Sequence, residues 1–156
     1  MSLLLLLRDV VEADLPILFE HQVDPEANRM AAFPPRQWPA FLDHWGRILR
    51  DRGIAKQTIV TDGEVAGYVV VFEESERRQI GFWIGRAYWG RGIATLALSR
   101  FLRAFTERPL FAVVAADNIA SRRVLEKCGF ALSVAYAGAP GSPAEEVQEV
   151  LFELRS

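Results

Sequence analysis

Tyr88-Trp89-Gly90-Arg91-Gly92-Ile93-Ala94-Thr95 is the stretch on which the reading of this chain turns. Two glycines one residue apart open a segment whose apolar residues recur along one helical face: Ile93, Leu96, Ala97, Phe101, Ala104 and Phe105. Directly upstream, residues 79–84 read as a β-strand. A strand, a glycine turn and a helix start leave unpaired backbone N–H groups at the positive end of a helix dipole. Such a terminus holds phosphate oxygens. A side chain at either glycine would keep the anion away from the amides. The stretch is read as a pyrophosphate cradle, although the glycine pair taken alone fits a simple tight turn equally well.

The rest of the composition bounds the answer. At 156 residues the chain is expected to be a single domain over 1–156, long enough to bury a sizeable core. Its 51% hydrophobic and 24% charged residues are those of a globular protein rather than a disordered one. A formal net charge of -2 gives no support for a nucleic-acid binder. Cys128 stands alone, which excludes an internal disulfide and a cysteine-based zinc cluster, and a reducing cytoplasm is the expected address. No metal-ligand cluster or nucleophile–base–acid triad stands out. The apolar run from Leu3 to Leu7 is too short to cross a bilayer, and with Arg8 and Asp9 behind it reads as a first strand, not a signal peptide.

Working outward from the glycines, elements alternate. Residues 3–8 are read as a strand and 12–23 as a helix. Residues 24–36, with Pro25, Pro34 and Pro35, are read as an irregular connection. Residues 38–50 carry Phe41, Leu42, Trp45, Ile48 and Leu49 at helical spacing, with Gly53 expected to end that helix. Strands at 56–61 and 64–72 are joined by Asp62-Gly63, a strong hairpin signal. A charged turn over 73–78 leads into the strand at 79–84. Beyond the glycine-led helix come a strand at 109–115, a helix at 119–127 closed by Gly129, and strands at 131–137 and 147–154 around a loop at 138–143. The order is β-α-α-β-β-β-α-β-α-β-β, an α/β (α+β) chain with helices on a mixed sheet.

A second constellation follows. Asp117-Asn118-Ile119-Ala120-Ser121 joins a strand to a helix that ends Leu125-Glu126-Lys127-Cys128-Gly129-Phe130. With these pieces the chain resembles the GNAT superfamily of acyl-CoA N-acyltransferases. It is most similar to the branch of ribosomal-protein N-terminal acetylases and spermidine acetylases. The resemblance rests on Ile80-Gly81-Phe82-Trp83-Ile84, on Tyr88 to Thr95, and on Asn118-x-x-Ser121-x-x-Val124-Leu125-Glu126-Lys127-x-Gly129-Phe130. Leu7, Arg8 and Asp14 match the family's opening pattern.

The resemblance implies a mostly antiparallel seven-stranded sheet with a V-shaped split between its fourth and fifth strands. Acetyl-CoA would lie in that split as cosubstrate. Its pantetheine would pair with backbone near Trp83 and Ile84. Its pyrophosphate would rest on amides from about Arg91 through Gly92, Ile93 and Ala94 to Thr95, with Trp89 and Gly90 also at the cofactor. Asn118 would hydrogen-bond the pantetheine chain. Arg91, Arg122, Arg123 and Lys127 read as ordinary solvated charges, of which one or two could instead reach a CoA phosphate, Arg91 first. A primary amine, whether a protein or peptide N-terminus or a small molecule, would then attack the thioester directly through an oxyanion that a strand N–H stabilises, with no metal and no protein nucleophile needed.

Many relatives carry a tyrosine acid where this chain has Leu125; in the nearest branch that role falls to the serine matching Ser121, which is equally readable as a helix cap. For the base, His21, Asp24 and Glu26 sit around the end of the first helix, where relatives line the acceptor pocket. His21 has a suitable pKa, although a packed histidine is the commoner case. The expected partners are acetyl-CoA and an amine, with neither nucleic acid nor membrane, in a monomer or homodimer. The competing reading is a CoA-binding sensor or structural module without catalysis.

Overall fold

The structure is a computed structural model that describes residues 4–31, 34–136 and 149–156. Its strands are β1 (Leu5–Asp9), β2 (Ala55–Thr61), β3 (Glu64–Glu74), β4 (Arg77–Ile84), β5 (Leu110–Ala115), β6 (Ala131–Tyr136) and β7 (Glu149–Leu154). Its helices are α1 (Leu15–Gln22), α2 (Pro25–Ala31), α3 (Trp38–Arg50), α4 (Ile93–Ala104) and α5 (Ile119–Lys127). One seven-stranded sheet runs in the order β1-β2-β3-β4-β5-β7-β6. Neighbouring strands are antiparallel except β4 and β5, which are parallel.

The pleat of β3 sorts the helices onto two faces. Val69 and Val71 point into a core with Ile80, Leu98, Phe101, Leu125 and Phe152, where α4 and α5 lie. Val70 points the other way, into a second core with Leu15, Leu18, Phe41 and Trp45 from α1 and α3. Burying one such side chain contributes about 1.5–3 kcal/mol. Each face therefore needs its own apolar layer, which the alternating β3 sequence supplies.

Local signals explain most boundaries. Asp62 (φ 51°) and Gly63 (φ 84°) form the left-handed two-residue hairpin turn expected from the sequence. The next hairpin is tighter than expected: β3 and β4 run on to Glu74 and Arg77, and the turn is Ser75 and Glu76, at φ 54° and 62°. No glycine marks it, so the charged residues read as a loop. The connection over 24–36 is corrected too, because α2 forms inside it. Asp24 caps that helix, its Oδ1 accepting from the Glu26 and Ala27 N–H groups at 2.9 and 3.2 Å. Pro25 sits at its first position, where a missing N–H costs nothing. The end of α3 is corrected in the same way. The chain turns extended at Asp51, whose carboxylate accepts from the Gly53 N–H at 2.8 Å, so Gly53 does not cap the helix. At α5, Gly129 (φ 95°) does close the helix. The loop expected at 138–143 lies outside the described residues, and among these no helix is long and apolar enough to cross a membrane.

The opening Leu7-Arg8…Asp14 pattern proves to be a tie between β1 and the start of α1. Asp14 is buried and accepts two hydrogen bonds from Arg8, each 2.8 Å, one from the Val11 N–H at 3.0 Å and one from the Thr58 hydroxyl at 2.7 Å.

One close approach fixes the edge of the site. A Cβ on Gly67 would meet the Trp83 carbonyl oxygen at 2.0 Å, a backbone atom that cannot swing aside. Gly67→Ala is therefore expected to cost about 2–3 kcal/mol as β3 and β4 are pried apart. Gly81→Ala, whose Cβ would sit 3.5 Å from a Val70 methyl, should be far milder. Urea midpoints of the two variants compare them, and equal midpoints would contradict the close approach.

Candidate active site

Parallel strands β4 and β5 meet at a single register pair, Gln79 with Phe111, near the start of both. Toward Ile84 and Ala115 no further pair joins them, and the gap becomes a cleft of about 1220 Å³. This is the V-shaped split expected between the fourth and fifth strands.

At its open end stands the glycine-led terminus of α4. Gly90 (φ 77°) and Gly92 (φ 74°) are both left-handed, a conformation costing an ordinary residue about 1–2 kcal/mol. A Cβ on either would project into open space. Gly92 is the residue before the helix, and no side chain caps that end. The N–H groups of Ile93, Ala94 and Thr95 belong to the first turn, which has no carbonyl partners within the helix. Trp89, Gly90, Gly92, Ile93, Ala94 and Thr95 all border the cleft. Arg91 is exposed beside it, its guanidinium 5.8 Å from the centre of the Tyr88 ring. These open amides and the absence of Cβ atoms fit an anion the size of a diphosphate.

The strand wall is built differently from the expectation at one position. The Gly85 N–H donates to the Ala66 carbonyl at 2.8 Å, which makes Tyr68 and Trp83 the next hydrogen-bonded pair. The Trp83 main chain is thus turned to β3, and what Trp83 gives the cleft is its indole. Its Nε1 is buried without a partner among the described residues. By alternation Phe82 and Ile84 turn their backbones toward the gap, and the Ile84 carbonyl already accepts from Trp89 Nε1 at 2.8 Å. Phe82 is a wall residue the sequence reading missed.

On the far side of the gap, Asn118 caps α5, its Oδ1 accepting from the Ser121 N–H at 3.3 Å. Both side chains border the cleft, and the Ser121 hydroxyl has no hydrogen bond among the described residues.

Comparison with known proteins decides the family. The family described as an acetyltransferase (GNAT) domain matches residues 5–131. The chain belongs to the GNAT acetyltransferase family. No curated protein sequence matches it significantly, but solved structures do. They include RimL, a ribosomal alpha-N-protein acetyltransferase in complex with coenzyme A. It has a TM-score of 0.81 at 19% identity, over 97% of this chain and 93% of that one. Spermidine N-acetyltransferase from Vibrio cholerae, in complex with CoA and spermine, has a TM-score of 0.80 at 15% identity, over 97% and 95%. An aminoglycoside acetyltransferase in complex with coenzyme A has a TM-score of 0.77 at 16% identity, over 97% and 94%. At such identities the likeness is one of fold.

Within this GNAT domain Arg91 is joined outside the cleft lining by the expected site residues His21, Asp24, Glu26 and Arg122. His21 packs behind it, its ring carbons and Nε2 within 3 Å of where a Gly85 Cβ would stand and its ring centre 6.2 Å from that of Tyr88. Burial pushes its pKa down, against a smaller upward pull from Glu20. Glu26 is engaged by Arg29, whose hydrogen bond holds the carboxyl below its ordinary range. Arg122 donates to the Ala116 carbonyl at 2.7 Å and lies over the Phe152 ring. Leu125, at the position where many relatives carry tyrosine, is fully buried in the core.

The sequence reading also missed several polar residues that do border the cleft on the α1–α3 side. His44 and Tyr68 are there, and so is Glu149, the first residue of β7. Burial pushes the Tyr68 hydroxyl up to about 12, leaving it a neutral donor. Burial, with Arg36 and Arg47, pushes His44 down. None lies in a motif, and only strand register and the packing of α3 bring them together.

Proposed function

We propose that this GNAT domain transfers the acetyl group of acetyl-CoA to a primary amine by direct attack, without a covalent enzyme intermediate. The observation that carries the reading is the uncapped, glycine-led start of α4 at the open end of the split between β4 and β5. A diphosphate held on the α4 amides directs the pantetheine along the backbones of Phe82 and Ile84, with the thioester between the strands. The oxyanion that forms on attack is met by a strand N–H. The CoA complexes of RimL, the spermidine acetylase and the aminoglycoside acetyltransferase support the choice of cosubstrate.

Asn118 reaches the pantetheine chain with its amide, and Ser121 gives a proton to the departing thiolate. Ser121→Ala is expected to lower kcat by roughly 10–100-fold with little change in acetyl-CoA affinity. Steady-state kinetics with calorimetry measures both, and a wild-type kcat would reduce Ser121 to part of a helix cap.

The reading is tested by free-thiol release from acetyl-CoA against a panel of amines and peptides. Saturable, amine-dependent release supports it. Tight CoA binding with no turnover supports a CoA-binding module instead, the reading favoured by the burial of Leu125 away from the cleft.

A further inference from the structure

The reaction proposed above needs a group to take a proton from the incoming ammonium, and β4 supplies no carboxylate. At the base of the split stands Gln79, buried, its amide donating to the Glu74 carbonyl at 3.3 Å. The geometry points to Glu149 as the catalytic proton acceptor for the amine.

Register and pleat place it. Glu149 pairs with Ala115 at the last position of β5, beyond the single pair that joins β5 to β4, so it borders the widened part of the cleft. Its neighbours Val150 and Phe152 turn into the α4–α5 core, which puts Glu149 on the opposite, α1–α3 side. That face is away from the α4 terminus that holds the diphosphate, so an amine entering there meets the carbonyl across from the cofactor.

Its surroundings suit the task. Acidic neighbours elsewhere are spoken for: Asp24 by Arg86, Glu26 by Arg29 and Glu73 by Arg78. Glu149 has neither hydrogen bond nor ion pair to its side chain among the described residues. The charged group acting on it is Glu74 of β3, which also borders the cleft; Arg77 of β4 lies over the Phe111 ring, and Tyr136 of β6 is its register partner. Burial first, and Glu74 second, push its pKa upward. Two carboxylates together attract an ammonium and raise the basicity of the half-buried one.

His44, the competing base in the same cleft, has its pKa pushed down by burial first and by Arg36 and Arg47 second, against an upward pull from Asp43. Tyr68 is a proton donor at neutral pH. Charge therefore selects Glu149.

The step balances without a further reactant. The ammonium gives one proton to a Glu149 carboxylate oxygen, and the freed nitrogen pair forms the C–N bond as the carbonyl pair moves to oxygen. On collapse the C–S bond breaks and its pair leaves with sulfur. The thiolate takes up a proton as nitrogen loses its second, and Glu149 returns its own to solvent.

The test, which rests on the acetyltransfer reading, compares wild type with Glu149→Gln on two amines: strongly basic phenethylamine and weakly basic 2,2,2-trifluoroethylamine, which is largely neutral at pH 7. Glu149→Gln is expected to lower kcat/KM for phenethylamine by roughly 100-fold near neutral pH and to move the acidic limb of its pH profile up to the ionisation of the amine itself. With trifluoroethylamine, and in acetyl-CoA affinity, it should match wild type within a few-fold. The variant should fold, because a carboxylate whose pKa is raised on folding loses stability as pH rises through that value, and an amide escapes the penalty. An equal loss on both amines, or none, overturns the assignment. Wild type inactive on every amine overturns the acetyltransfer reading itself and this assignment with it.

Discussion

Replacing Gly92 with aspartate is expected to weaken acetyl-CoA binding about 100-fold while leaving the fold intact. The two effects have separate causes. Gly92 occupies the left-handed region at φ 74°, with open space where a Cβ would project. Aspartate tolerates that region better than most residues and is a favoured partner for free amides at a helix start. The helix should therefore survive. The new carboxylate, however, takes up the donors meant for the diphosphate and stands beside it as a like charge. At about 5 Å and an effective dielectric near 20, one such pair costs roughly 3 kcal/mol, or about 100-fold in affinity. Gly92→Ala carries only the backbone strain of about 1–2 kcal/mol and should bind with an intermediate constant. Calorimetric titration of both variants with acetyl-CoA gives the ordering. Unchanged affinity in Gly92→Asp would mean that the diphosphate does not lie on this turn.

The largest loss of stability should come from Asp14→Ala, far from the chemistry. Removing the Asp14 carboxylate strands the buried Thr58 hydroxyl and the Val11 N–H and frees Arg8. Arg8 is 43% exposed and can return to water, which discounts its share of the interaction. What remains is about 2–4 kcal/mol, lowering Tm by roughly 10 °C in a domain of this size. The pH dependence follows from the direction of the shift. Burial works to raise the Asp14 pKa, but the hydrogen bonds from Arg8, Val11 and Thr58 outweigh it and hold it below the ordinary 3.8. A group whose pKa falls on folding contributes stability that is present above the unfolded value and lost as pH drops through the folded one. Wild type should therefore lose this contribution below pH 3.8, and Asp14→Ala should show a flatter acid limb in thermal melts. A change below about 1 kcal/mol at neutral pH would mean the network adds little.

The site divides along the same line as these predictions. The glycine turn before α4 was legible in the sequence because its physics is local. A left-handed glycine followed by an amphipathic run dictates an uncapped helix start wherever it is placed, and Gly90, Gly92 and α4 appear as read. Asn118 and Ser121 were legible for the same reason, since a cap and the helix it starts lie within one turn. The helix α2 was missed because a proline that breaks a helix and one that begins it are the same letter; only the cap from Asp24 distinguishes them. His21 was misjudged because its pattern on α1 says nothing about what packs over it, and that proved to be the loop at Gly85.

The α1–α3 side of the cleft shows the limit most clearly. Tyr68, His44 and Glu149 come from three separate elements and belong to no motif. Which side of β4 offers its backbone to the gap depends on the hydrogen-bond phase of β3 and β4, set by Gly85 on Ala66. By itself the sequence determined the glycine-led helix start, the strand–helix order around it and hence the family, all of which depend on residues within a few turns of one another. Only the tertiary structure decided where β4 and β5 part and which titratable groups face the space between them. Those depend on register and helix placement, which sum many weak contacts between residues remote in the chain.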